Sequence, residues 1–286
     1  GRMQHRLVVG SLALVSLALA YTPAMTAAQA PAAKSAPAAQ PKVPAAPKPA
    51  GALAMPRMAI TTVRIKPELV DEWMEFQKSE TIPALRKAGV SERTVIATAI
   101  GESFEMTFLT PVKNFAERDG DNPIVKALGA DGARAYAAKN RRFITEQHTY
   151  VNTVRTDLSY QPAPGATAPA GIAVVSTYSI AGGHNADFEA YIKTDLTPAH
   201  KQLKTGGFIV HQALFGGDGG TFVVATLLPN FAALDKGPAI VRAYGQARAD
   251  AIQQRLAGFV THIERTVVRV VPELSFQAAR PMSDHE

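Results

Sequence analysis

Seven histidines and no cysteine set the chemical vocabulary of this 286-residue chain. Four of the histidines, His184, His200, His211 and His262, fall between residues 171 and 276. A neutral imidazole can ligate a metal or a haem iron, or act as a general base. No His-x-x-x-His pair occurs, so scattered histidines with ordinary polar partners are the favoured reading over a metal or haem site. Two carboxylates, Glu80 and Asp195, each stand three residues before a proline, Pro83 or Pro198, and one turn beyond an aromatic, Phe76 or Tyr191. In a pocket, burial would raise such a carboxyl's pKa and let it transfer protons. The better-supported alternative is that each proline interrupts a helix and the acid caps its restart. Gly216-Gly217-Asp218-Gly219-Gly220 joins two apolar stretches, which suits a hairpin tip better than a phosphate cradle. Neither a Gly-x-Ser-x-Gly elbow nor a P-loop is present, and the catalytic residues stay unassigned.

The elements that must hold these residues come twice. Residues 57–160 and 171–276 are two copies of one unit. Asn114-Phe115-Ala116 matches Asn230-Phe231-Ala232, and Ile124-Val125-Lys126-Ala127-Leu128-Gly129 matches Ile240-Val241-Arg242-Ala243-Tyr244-Gly245. Asp157-Leu158-Ser159-Tyr160 matches Glu273-Leu274-Ser275-Phe276 in the same register. Before the central turn the register shifts by one residue, pairing Trp73 with Phe188, Phe76 with Tyr191 and Pro83 with Pro198. The proline-rich stretch 161–170 reads as a linker, and 277–286 as a C-terminal tail. Each copy opens with a strand, 58–66 or 172–180, followed by a helix, 68–87 or 185–204, with apolar residues at helical spacing. A hairpin comes next, then a broken helical region predicted over 112–147 and 230–263. The closing strands are predicted at 149–156 and 265–271. The order βαββαβ is the ferredoxin-like split unit, so the fold class is α+β. One such sheet has helices on a single face, and two copies cover the other face by packing as an intramolecular barrel.

This pattern resembles the dimeric α/β-barrel superfamily, which contains antibiotic-biosynthesis monooxygenase-like, NIPSNAP-like and EthD-like proteins. The resemblance spans both copies. It rests on Ile65-Lys66-Pro67-Glu68 leading into Trp73 and Phe76, on Ala88-Gly89 closing the first helix, and on the Asn-Phe opening of the second helical region. It implies a pocket between helices and sheet in each unit. Some members oxidise aromatic substrates without a cofactor, some bind haem, and some have no known activity.

Each copy serves as a control for the other. His184, His200 and His211 replace Leu69, Leu85 and Ile96, and His262 stands opposite Glu146. If the aliphatics face the core, His200 and His211 meet in one cavity of the second copy, with Tyr191, Asp195 and Tyr244 as the nearest partners. In the first copy Gln77, Thr81, Asn140, Gln147 and Asn152 replace Ile192, Leu196, Leu256, Ile263 and Val268. With Trp73, Phe76, Glu80, Tyr136 and His148 they would line a polar-aromatic pocket. Drift on exposed faces accounts for at least half of these exchanges. The expected ligand is a small apolar or aromatic molecule. A cofactor-independent monooxygenase-like enzyme and a haem- or metal-binding barrel are the alternatives, and the cofactor, unknown, is expected to be none.

The formal charge of +6 is concentrated at the front. Residues 1–56 hold Arg2, Arg6, Lys34, Lys42 and Lys48 and no acid, which leaves the remainder nearly neutral and without the basic stripe of a nucleic-acid binder. Met3, His5 and Arg6, the apolar run 7–20 and the small residues after it read as a signal peptide, residues 1–28. An uncleaved membrane anchor is the alternative. After cleavage no transmembrane segment is expected, and the address is periplasmic or secreted. Lipid attachment and disulfides are excluded by the lack of cysteine. Residues 29–56, rich in Pro, Ala and Lys, form a spacer of about 80 Å at full stretch. The barrel is expected as a monomeric pseudo-dimer or a low-order oligomer. Mass spectrometry of the protein from its native host should find the mature N-terminus near Gln29, and retention of residues 7–20 on a protein in the cytoplasm would refute export.

Overall fold

The computed structural model describes residues 55–277. The signal peptide, nearly all of the tether and all but the first residue of the C-terminal tail lie outside the described residues. The first repeat runs β1 (Arg57–Ile65), α1 (Val70–Phe76), α2 (Ile82–Lys87), β2 (Glu92–Ile100), β3 (Glu105–Val112), α3 (Pro123–Arg141) and β4 (Ile144–Val154). The second repeats the order with β5 (Ile172–Ile180), α4 (Asn185–Tyr191), α5 (Thr197–Gln202), β6 (Phe208–Phe215), β7 (Thr221–Leu228), α6 (Ala239–Tyr244), α7 (Gln246–Ala257) and β8 (Val260–Val270). Among the described residues no helix is long and apolar enough to cross a membrane.

Eight antiparallel strands close in the order β3-β1-β4-β6-β7-β5-β8-β2, with β2 returning to β3. Both repeats therefore have the ferredoxin-like strand order, and the two sheets join edge to edge. Each seam pairs the last strand of one repeat with the second strand of the other, β4 with β6 and β8 with β2. Closure leaves no open edge in the ring, which removes the usual hazard of exposed strand pairing. Helices cover the outside. One core lies under each helical layer, around Trp73, Phe76, Val95 and Phe143 in the first repeat and around Phe188, Tyr191, Phe208 and Phe222 in the second.

The segments after β4 and β8 cross to the opposite repeat. Tyr160 exchanges backbone hydrogen bonds with Phe208, and Leu158 is buried in the second repeat's core. In reciprocal fashion β9 (Phe276–Gln277) pairs with the start of β2, and Leu274 is buried in the first repeat's core. A serine fixes each crossing. Ser159 Oγ accepts from the Val210 N–H at 2.9 Å, and Ser275 Oγ accepts from the Val95 N–H at 2.9 Å.

Two sequence expectations are corrected. The helical regions end earlier than predicted, at Arg141 and Ala257, and β4 and β8 begin at Ile144 and Val260. The stretch Thr145-Glu146-Gln147-His148 is polar on both faces of its strand, so it lacks the alternation that marks a strand in sequence. Pro83 and Pro198 do not interrupt their helices. A π-type turn, Gln77–Thr81 or Ile192–Leu196, precedes each proline, with the Ile82 N–H bonding to the Gln77 carbonyl and the Thr197 N–H to the Ile192 carbonyl. The wider turn accommodates the missing N–H, and the helix continues without a restart. Replacing Leu274 by Ala should cost about 2–5 kcal/mol of stability, as should Leu158→Ala. Chemical denaturation checks this, and a loss under 1 kcal/mol in both would mean the crossing segments are ornamental to the cores.

Candidate functional site

A cavity of about 530 Å³ lies between the helices and the sheet of the first repeat. Successive turns of the first helix present Trp73, Gln77 and Thr81 on one face. β2 supplies Arg93 and β3 supplies Phe108, whose ring lies under the Arg93 guanidinium at 4.3 Å. α3 contributes Tyr136 and Asn140, one turn apart. Tyr136 Oη and Thr81 Oγ1 share a hydrogen bond of 2.8 Å, and burial pushes the phenol's pKa up.

Arg93 is 6% exposed, an unusual place for a guanidinium without a carboxylate. Its Nη2 donates to Gln77 Oε1 at 2.8 Å, while Nη1 is buried and unpaired. Burial lowers its pKa to about 10, so it remains a cation at neutral pH. Two more buried polar atoms of this lining lack partners, Trp73 Nε1 and Asn140 Oδ1. Buried polar groups are normally satisfied, so these atoms are unusual; the other three of this kind among the described residues, Arg64 Nε, Asn152 Oδ1 and His211 Nδ1, belong to the lining of the barrel's inner cavity.

The second repeat shows what the same architecture does without that preparation. At the positions of Gln77, Thr81, Arg93, Tyr136 and Asn140 stand Ile192, Leu196, Phe208, Ile252 and Leu256. All five are buried in one apolar cluster. The same positions are therefore apolar in the second repeat and polar in the first, so the two interiors are chemically different.

Of the residues singled out from sequence, Trp73 and Tyr136 line the cavity, as do Gln77, Thr81, Asn140 and Gln147. Phe76 is core, its ring tilted against those of Tyr136 and Phe143. Glu80 is an exposed partner of Lys139. Asp195 is buried and held by Arg255 and by the Thr194 hydroxyl. Neither acid caps a helix, because no helix restarts there. The Tyr244 hydroxyl donates to the Asp195 carbonyl at 2.9 Å, a bracing contact, and Tyr191 sits in the core with its pKa raised by burial. Arg93 was not singled out from sequence. Its signal was a charge at the position where the other copy has Phe208.

His200 and His211 do not meet. His200 lies under the second repeat's helices, its Nδ1 2.7 Å from Thr205 Oγ1 and its ring edge-on to Phe208. His211 is three residues beyond Phe208 on the same strand, so it points to the opposite face, into the barrel lumen. The lumen holds a second cavity of about 630 Å³, lined by threonines, with His148, Asn152 and His211 on its wall. His148 pairs with Glu146, and His184 with Asp187 at the start of α4. His262 is exposed on β8. Among the described residues no three His, Asp or Glu side chains converge as metal ligands would.

No protein-family model matches this sequence, and no curated protein matches it. Solved structures do share its fold. A monooxygenase candidate from Lactobacillus acidophilus NCFM is 9% identical, with 78% of this chain and 96% of that one covered at a TM-score of 0.50. An anthrone oxidase-like protein is 12% identical, with 81% and 97% covered at 0.52. A second monooxygenase candidate, from Fusobacterium nucleatum, is 12% identical, with 76% and 93% covered at 0.50. At such identities the likeness establishes the fold, and with the closed barrel above it makes this chain a dimeric α/β barrel built from one polypeptide.

The buried imidazoles make a pH prediction. Burial lowers the pKa of both His200 and His211 to about 4, with Arg242 adding to the effect at His200. In the unfolded chain each protonates near 6.5. Between those values the unfolded state binds more protons, so stability falls as pH drops from about 6.5 to about 4. His200→Leu, which installs the first repeat's residue, should flatten that slope in denaturant titrations run across this range. An unchanged slope would place the acid sensitivity elsewhere.

Proposed function

We propose that this dimeric α/β barrel is an exported small-molecule-binding protein whose ligand occupies the first-repeat cavity. The observation that carries the reading is the difference between the repeats: one lines a cavity with polar side chains, some with unpaired atoms, and the other sets the buried apolar Ile192, Leu196, Phe208, Ile252 and Leu256 at the same positions. Selection for stability alone would favour the filled form, because a cavity forgoes packing contacts. The walls, Trp73, Phe108 and Tyr136 among them, suit a flat, largely apolar ligand.

The lining bears on the alternatives. It contains no carboxylate and no imidazole, so no residue there is suited to serve as a general base at neutral pH. Proton-transfer catalysis of the kind a cofactor-free oxygenase needs therefore finds less support than binding, although three of the fold's relatives carry oxidase or monooxygenase descriptions. The residues present do not suit a haem either, since no imidazole lines the cavity and the Tyr136 hydroxyl is already engaged by Thr81. Export rests on the signal-like leader and the proline spacer. Both barrel seams are satisfied within the chain, which favours a monomer.

The experiment borrows from the second repeat. Asn140→Leu with Gln147→Ile installs the residues of Leu256 and Ile263 and removes an unpaired polar atom. The double variant should melt at or above the wild-type temperature while losing the thermal shift that aromatic ligands of a screening panel give the parent. A panel that shifts parent and variant equally would move the site elsewhere.

A further inference from the structure

With the first-repeat cavity taken as the ligand site, as proposed above, its own polar atoms define the charge of what it holds. Arg93 forms none of the ion pairs found among the described residues. Among the described residues the only hydrogen-bond partner of its guanidinium is the neutral Gln77, and its face rests on Phe108. A guanidinium offers five donors in a planar fork that matches a carboxylate, and here Nη1 is left buried and unused. Removing a cation from water without supplying a counter-charge is among the most costly arrangements a fold can hold. The Arg142 guanidinium of the same repeat shows the ordinary solution, being half-exposed and paired with Glu72. Trp73 Nε1 is a second buried donor without an acceptor on the same lining. Two residues of a cavity lining that has no anion thus carry buried donors without acceptors, and one of them is charged.

We propose that the cavity binds a compact aromatic monocarboxylate, with Arg93 Nη1 and Trp73 Nε1 as donors to the carboxylate oxygens and the ring against Phe108 and the apolar walls. The ligand supplies the counter-charge that the chain omits. The second repeat, with Phe208 at the position of Arg93, needs none and takes no ligand.

Calorimetric titration with 2-naphthoate and its neutral isostere 2-naphthamide tests this. The wild-type protein should bind naphthoate at least about tenfold more tightly than naphthamide, the scale of a hydrogen bond to a charged group. Arg93→Gln should erase that preference, and Arg93→Lys should keep part of it. Arg93→Met should raise the melting temperature of the ligand-free protein, because it removes an uncompensated buried charge. Equal binding of both probes by the wild type, lost in Asn140→Leu with Gln147→Ile, would leave the cavity as the site and overturn the anionic ligand. Binding of neither probe, or naphthoate binding that is undiminished in that double variant, would overturn both the site and the ligand class. A marked fall in melting temperature for both Arg93→Met and Arg93→Gln would make Arg93 a structural cation and overturn the proposal.

Discussion

Everything in this barrel depends on a face that neither repeat can cover alone. Each four-stranded sheet packs its outer face under its own helices, and its inner face would stand bare. Edge-to-edge pairing at the two seams turns both inner faces toward a common lumen. The crossing segments secure that closure, because each repeat's core includes a leucine donated by the other, Leu158 in one and Leu274 in the opposite one. The paired serine contacts at Val95 and Val210 hold the donated segments in equivalent registers. A repeat removed from its partner would lose a strand neighbour at each end of its sheet and a part of its core together.

Covalent fusion of the two units has a chemical result. In a barrel of two identical chains any change in one pocket is made in both. Here one unit carries an apolar, well-filled interior and the other a cavity with a buried guanidinium. The filled unit contributes packing, with Phe188, Phe208 and Phe222 almost wholly inaccessible. The first unit holds a cation at 6% exposure with Gln77 as its side-chain partner. On the proposed reading, stability and recognition are divided between two copies of the same fold, as expected when groups placed for binding are not placed for stability.

The fold was legible because the duplication was. One register across Asn114-Phe115-Ala116, the Ile124 segment and Asp157-Leu158-Ser159-Tyr160 forces a common element order, and a one-faced sheet forces closure. Strand limits were harder to read: Thr145-Glu146-Gln147-His148 has polar residues toward both the lumen and the helices, so the pattern that distinguishes strand from helix is missing. The prolines misled because a π-type turn does locally what a helix break would otherwise do. Half of the site was visible as polar residues of the first copy standing at apolar positions of the second. The histidine pair does not meet because Leu85, on α2, and Ile96, on β2, the residues they replace, lie on opposite sides of the sheet although both are partly buried. Substitution at an aliphatic position shows that a side chain is enclosed, and only strand parity shows where. Arg93 against Phe208 carried the same kind of information and was the exchange with the largest change in chemistry.

The reciprocal crossing has a consequence for the order in which the chain can fold. Domains made during synthesis usually fold from the N-terminus as they emerge. Here the first repeat lacks Leu274 and Phe276 until the whole second repeat has been made, and β2 lacks its β8 neighbour until nearly then as well. Such long sequence separation slows closure. The first repeat therefore stays incomplete until the second has been made, and the final dozen or so described residues act as the latch that turns two open sheets into a barrel.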